Sequence, residues 1–246
     1  MPAAPHRPPL RLALRRRDRR PELMDDPALD PAAHRLALAG LARLNRVSGS
    51  AAAVWPAVRR LAAASPARPL RLLDVATGSG DVLLALVRKA RRAGVTLDAV
   101  GCDISPVAVA AATEAARRAG LPARFFVADV LNGPFPAGFD AVVCSLFLHH
   151  LDGADAVRLF ARMRAAGPRL LVVNDLARSP LNYGLVWLAS RALSRSPVVH
   201  ADGPLSVRAA FTPAELLAVA RDAGLTGATV HSHFPGRLVL EWRGPA

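Results

Sequence analysis

Between Leu72 and Asp81 the chain reads Leu-Leu-Asp-Val-Ala-Thr-Gly-Ser-Gly-Asp. Glycines at 78 and 80 permit a tight turn and let a ligand approach the main chain, just before a segment with helical spacing. Asp103 follows at the end of the next apolar run, 23 residues after Gly80. A carboxylate there can accept both hydroxyls of a ribose, so the loop and the acid together point to a nucleoside ligand. A dinucleotide fingerprint needs a third glycine three residues after Gly80, and Leu83 stands there instead. Asp74 would repel a pyrophosphate and suits a ligand bringing positive charge. S-adenosylmethionine carries an ammonium and a sulfonium and no phosphate, so charge favours it over a dinucleotide.

A second group of residues could act on an acceptor. His149 and His150 come three and four residues after the apolar run ending at Leu146. Either could take a proton from a phenol or acid nucleophile, or simply shape a pocket or cap the next helix. Asp175 and Arg178 follow the fifth apolar run; Arg178 could hold a carboxylate or phenolate, or pair with Asp175. Tyr183 and Trp187, four apart, share one helix face and could stack on an aromatic acceptor or pack inward. His200, with Asp202 and Arg208 in a polar stretch, is a third candidate base. There is no CxxC or HExxH, so no metal site is expected.

These residues need a scaffold that brings strand ends together. Short apolar runs at 70–75, 96–102, 123–127, 139–146 and 168–174 alternate with helical spacing, except between the third and fourth. Continuous apolar strands of this kind are buried on both faces of a parallel sheet. The expected fold is α/β: a doubly wound, Rossmann-like, mostly parallel seven-stranded sheet closed by an antiparallel hairpin over 226–242. Residues 1–27 read as a flexible or loosely docked Arg/Pro-rich arm. Two helices, Pro31 to about Val47 and Ser50 to Ala64 with an end at Ser65-Pro66, make a helical lid over 28–66. The cofactor-binding domain is 67–246, with a cap insertion at 176–212: a helix over 181–193, then a polar loop to Phe211. Thr212 and Glu215 form a capping-box pattern for the last helix.

Asp74-x-x-x-Gly78-x-Gly80, then Asp103, Asp129 and the run Phe139-Asp140-Ala141-Val142-Val143, resembles the class I S-adenosylmethionine-dependent methyltransferases. The Asp-Val-Ala-Thr-Gly-Ser-Gly-Asp loop and Leu-His-His-Leu are most similar to the small-molecule enzymes of ubiquinone and menaquinone biosynthesis. The resemblance implies S-adenosylmethionine as cofactor and methyl transfer to oxygen or carbon of a small aromatic, polyketide or quinone-like acceptor. It implies Asp74, Ala76, Gly78 and Gly80 around the methionine moiety and Asp103 with Ile104 at the ribose. It places Asp129 and Val130 at the adenine and Ser145 beside the cofactor. His149, His150 and His200 are then the catalytic candidates, and Arg178, Tyr183 and Trp187 the acceptor contacts.

Composition narrows the alternatives. With 52% hydrophobic residues in 246 the chain can bury a full core, and with 5% aromatics that core is aliphatic. No apolar stretch approaches the roughly 20 residues of a membrane span, although peripheral contact through 181–193 stays open for a lipid-like acceptor. Cys102 and Cys144 lie in strand-like runs, so a buried, reduced state and a cytoplasmic location are expected. Of the net charge of +13, +6 falls within residues 1–20, which hold seven Arg and one Asp. That arm supports one rival reading, an RNA methyltransferase whose arginines contact phosphates. No appended RNA-binding domain is visible, so nucleic acid is not the expected partner.

Overall fold

The structure is a computed structural model that describes residues 14–26, 28–64 and 68–245. The Ser65-Pro66 helix end expected from sequence lies outside the described residues, as do 1–13 of the arm. Helix α1 (Pro31–Val47) starts where Asp30 accepts a hydrogen bond from the Ala33 N–H and Pro31 enters the first turn. Helix α2 (Ser50–Ala63) buries Val54, Ala57, Val58 and Leu61 within the main core rather than standing apart from it.

Strand and helix then alternate: β1 (Leu70–Val75), α3 (Asp81–Arg92), β2 (Leu97–Asp103), α4 (Pro106–Ala119), β3 (Ala123–Val127), β4 (Ala141–Ser145), α5 (Gly153–Ala165) and β5 (Leu170–Leu176). Helices α6 (Pro180–Leu193), α7 (Pro197–Ala209) and α8 (Pro213–Asp222) precede β6 (Thr229–His233) and β7 (Arg237–Arg243). The seven strands form one sheet in the order β3-β2-β1-β4-β5-β7-β6. β1 to β5 run parallel, and the β6–β7 hairpin joins β5 antiparallel. The seven-stranded, mostly parallel architecture read from the strand pattern is therefore present. One face is packed by Leu73, Phe160 and Met163, the other by Leu72, Leu83 and Leu86, all fully buried. The chain order reverses between β1 and β4, so the carboxyl ends of those strands open a crevice.

Two expectations change. The stretch after residue 193 is not a polar loop: 197–209 is helix α7, packed on α6 and α1. Gly203-Pro204 in its middle and buried Asp202 and Ser206 obscure the usual amphipathic spacing. The arm is not loose where it is described. Leu14 is buried, and the Leu23 and Met24 N–H groups donate to the two Asp202 carboxylate oxygens. The Thr212–Glu215 capping box is formed.

Candidate active site

The β1–α3 turn carries the glycine loop. Gly78 and Gly80 both have positive φ, +55° and +73°. A Cβ on Gly78 would meet nothing within 4 Å, leaving room for a ligand, whereas one on Gly80 would lie 2.8 Å from the Phe125 ring. Asp74 is buried at the end of β1. Its Oδ2 accepts from Thr77 Oγ1 at 2.6 Å, and its Oδ1 has no hydrogen-bond partner among the described residues. Burial pushes its pKa up to about 7, with Asp81 and Asp103 adding repulsion against the help from Thr77. A buried carboxylate oxygen without a partner, beside an open glycine turn, fits the cationic end of a sulfonium nucleoside. Ala76 in the same loop holds a positive φ of 53°, and so does Leu146 at 59° after β4. Strain of this kind concentrates at ligand sites, and both residues line the crevice.

Asp103 stands at the tip of β2. Its Oδ2 accepts from the Gly78 N–H at 2.8 Å and its Oδ1 from the Ser105 N–H at 2.9 Å. It braces the loop while each oxygen keeps a second lone pair for a hydroxyl. Ile104 beside it is exposed, and Val130 is buried in the core. Asp129 accepts from Asn132 Nδ2 and from the Leu131 and Asn132 N–H groups, which hold its carboxyl below the usual range. These four follow the carboxyl ends of β2 and β3 and are not in the wall of the cavity that Asp74 and Gly78 line.

This cavity, of about 300 Å³, lies between the ends of β1, β4 and β5 and a roof made by α1, α6 and α7. Ser145, His149 and His150 all line it, and Ser145 Oγ has no hydrogen-bond partner among the described residues. The histidines occupy a single 3-10 turn, Leu148–His150. His149 is buried, with its Nδ1 2.6 Å from Asp175 Oδ1 and its main-chain N–H donating to Asp175 Oδ2 at 3.0 Å. Burial raises the Asp175 pKa, but the charge and hydrogen bonds of His149 outweigh it and leave the carboxyl below its ordinary value. His150 is the reverse case. Burial lowers it, yet Asp25 at 3.1 Å and Glu22 prevail and bring it up to about 9, so it carries a proton at neutral pH.

Both of those acids come from the arm, which no sequence motif marked. Arg17 from the same stretch lies 3.7 Å over the Phe211 ring and donates to the carbonyls of Leu148 and His149. Glu22, His149 and His150 thereby bring one potential ligand atom each within 4.8 Å of one another. Local spacing could not reveal that cluster, because Glu22 is distant in sequence.

Four expected site residues point elsewhere. Arg178 is buried against Leu14 O, Ala210 O and Glu215, and pairs neither with Asp175 nor with the cavity. His200 is held through Nε2 by the Ser194 carbonyl at 2.8 Å, outside the cavity wall. Tyr183 packs against Leu176, Val207 and Ala210. Trp187 is 45% exposed and stacks under Arg191, on an outer face shared with Leu181 and Leu188. Helix α6 instead turns Asn182, Leu185 and Val186 inward. No described helix is long and apolar enough to cross a membrane.

A family model described as a methyltransferase domain matches residues 72–166, from β1 to the end of α5. An uncharacterized methyltransferase of Mycobacterium bovis is 35% identical over 183 residues, 71% of this chain and 87% of that protein. The chain belongs to the class I S-adenosylmethionine-dependent methyltransferases. This methyltransferase is also 40% identical over 121 residues to the demethylmenaquinone methyltransferase of Thermus thermophilus, covering 48% of its own length and 53% of that relative. It spans about half the length of the demethylmenaquinone methyltransferases it matches. An O-methyltransferase from neocarzinostatin biosynthesis, solved with S-adenosyl-L-homocysteine and 1,4-dihydroxy-2-naphthoic acid, has the same fold. Its TM-score is 0.63 at 20% identity, over 91% of this chain and 62% of that one.

Proposed function

We propose that this chain transfers a methyl group from S-adenosylmethionine to an oxygen or carbon of a small aromatic, polyketide or quinone-like acceptor. One observation carries the reading: the open carboxylate of Asp74 and the buried His149, held from behind by Asp175, face a single cavity roofed largely by apolar side chains. Names among its relatives support the acceptor class, since they include demethylmenaquinone methyltransferases and an enzyme holding a naphthoic acid.

When bound, the sulfonium supplies an activated methyl carbon for in-line displacement. Asp74 with the Ala76–Gly80 loop holds its cationic end, Asp103 and Ile104 the ribose, Asp129 and Val130 the adenine, and Ser145 the wall between cofactor and acceptor. His149 accepts the acceptor's hydroxyl proton, and Asp175 fixes the ring and stabilises the imidazolium that results. His150, already protonated, offers positive charge to a developing oxyanion. Helix α1 and the 176–212 segment act as the lid that excludes water and selects the acceptor. The buried thiol of Cys102, pushed up to about 12 by burial, takes no part. Two buried free cysteines suit a cytoplasmic site of action. Among the described arm arginines Arg17 is turned into the protein, whereas Arg15, Arg16, Arg19 and Arg20 are exposed.

The test is a panel of phenolic, quinol and naphthoic acceptors with labelled cofactor, read as mass gain of one methyl, with and without dialysis against EDTA. Turnover that survives the chelator keeps the proton step on His149. Asp103→Ala should abolish S-adenosylhomocysteine binding in calorimetry; undiminished affinity would remove the reading.

A further inference from the structure

Among the charged groups lining the same cavity, the mechanism leaves one cation without a role. Arg237 opens β7, and it is the only Arg or Lys among the cavity's described lining residues. In the sheet it pairs with Leu176, at the end of the strand that supplies Asp175. The turn that delivers it is fixed. Gly236 has φ +59°, and its carbonyl accepts from the Ala177 N–H and from Asn182 Nδ2, each at 2.9 Å. A Cβ on Gly236 would fall 1.9 Å from Asn182 Oδ1, so a side chain there would have to displace the Asn182 amide that anchors the turn.

The side chain is 5% exposed. Its Nη2 donates to Ser48 Oγ, while Nε and Nη1 are buried without any hydrogen-bond partner among the described residues. Burial lowers its pKa to about 10, with Asp175 and then Asp81 opposing, so it remains a cation at neutral pH. A guanidinium removed from water with donors idle is strongly unfavourable unless a ligand completes it. Carboxylates are the natural complement, because they accept two of its N–H groups at once.

We propose that Arg237 is an acceptor-binding residue that receives a carboxylate, so that the physiological acceptor is an acid. The inference rests on the cavity being shared by cofactor and acceptor. Arg237 enters from β7, beyond β4 and β5 from the Asp74 loop, on the side of the His149–Asp175 pair. An acid docked there presents its ring to that pair while its charge lies at the start of β7, beside Ser48.

The full-length protein, saturated with S-adenosylhomocysteine, is titrated with 1-hydroxy-2-naphthoic acid and with 1-naphthol. The parent protein should bind the acid about 10- to 100-fold more tightly, the range of a charge-assisted contact. Arg237→Met should erase that preference, leave S-adenosylhomocysteine affinity unchanged and leave the melting temperature equal or higher, since it removes an unpaired buried charge. Arg237→Lys should keep part of the preference, and it provides the same comparison if Arg237→Met does not fold. The proposal is overturned if the parent protein does not favour the acid, or if the preference survives in a folded variant. Loss of S-adenosylhomocysteine affinity in Arg237→Met with the acid preference intact would also overturn it, by giving the arginine to the cofactor. Failure of the parent protein to bind S-adenosylhomocysteine would instead strike the functional reading beneath it.

Discussion

Arg17 donates from Nη2 to the main-chain carbonyl of His149 at 3.0 Å, across 132 residues of chain. The same guanidinium reaches the carbonyl of Leu148 at 3.3 Å and caps the Phe211 ring. The 3-10 turn that carries both cavity histidines is therefore clamped from outside by the arm, while Asp175 holds His149 from within. Arg17 loses some basicity to burial, down to about 10, and stays charged.

Replacing Arg17 by Met should release the turn without touching the cofactor loop. We expect turnover to fall roughly 10-fold or more, as small misplacements of reacting groups do, with S-adenosylhomocysteine affinity unchanged. Hydrogen exchange at the amides of His150 and Leu151 should quicken. Unaltered exchange there would show that the turn holds itself.

Asp175→Asn keeps the shape and removes the charge that orients His149. Turnover should drop by about 10²- to 10⁴-fold, the range of general-base catalysis, for acceptors whose hydroxyl must lose a proton. Cofactor affinity measured by calorimetry should stay within error of the parent. An equal loss in both would make Asp175 a folding residue only.

Asp74 predicts a pH dependence with a definite sign. Its pKa of about 7 in the free protein means that it is largely protonated below neutrality, and the ammonium of the ligand prefers the ionised form. S-adenosylhomocysteine affinity should rise from pH 5.5 to 7, by at most about tenfold per unit. Asp74→Asn should bind weakly and show a flat profile over that window. The same raised pKa gives the free protein a contribution to stability that is present below about pH 4 and lost as pH climbs through 7. Thermal melts of the two proteins across that range provide the check.

Arg178 is a structural residue. Arg178→Met leaves Glu215 and the Leu14 and Ala210 carbonyls without their donor. We expect a loss of about 2–4 kcal/mol in urea unfolding, with turnover per folded molecule retained. A variant of normal stability and impaired acceptor binding would return Arg178 to the site.

Which parts of this were legible beforehand follows from the range of the interactions. The Asp74–Gly80 loop, Asp103 at the next strand tip and the alternating apolar runs are local patterns, set by backbone freedom at glycine and by burial of both sheet faces. Read along the chain, they were enough to specify the doubly wound sheet and the kind of ligand its crevice suits. Side-chain direction was not. The spacing of Tyr183 and Trp187 was compatible with facing in or out, and packing of α6 on α7 turned Asn182 and Leu185 inward instead. The set of charged groups around the two histidines was decided only in three dimensions. Asp175 pairs with His149 rather than with nearby Arg178, Glu22 and Asp25 arrive from the arm, and Arg237 arrives from the last strand. Each is a contact between distant segments, and hydrophobic periodicity carries no information about which charged side chain will be buried opposite which.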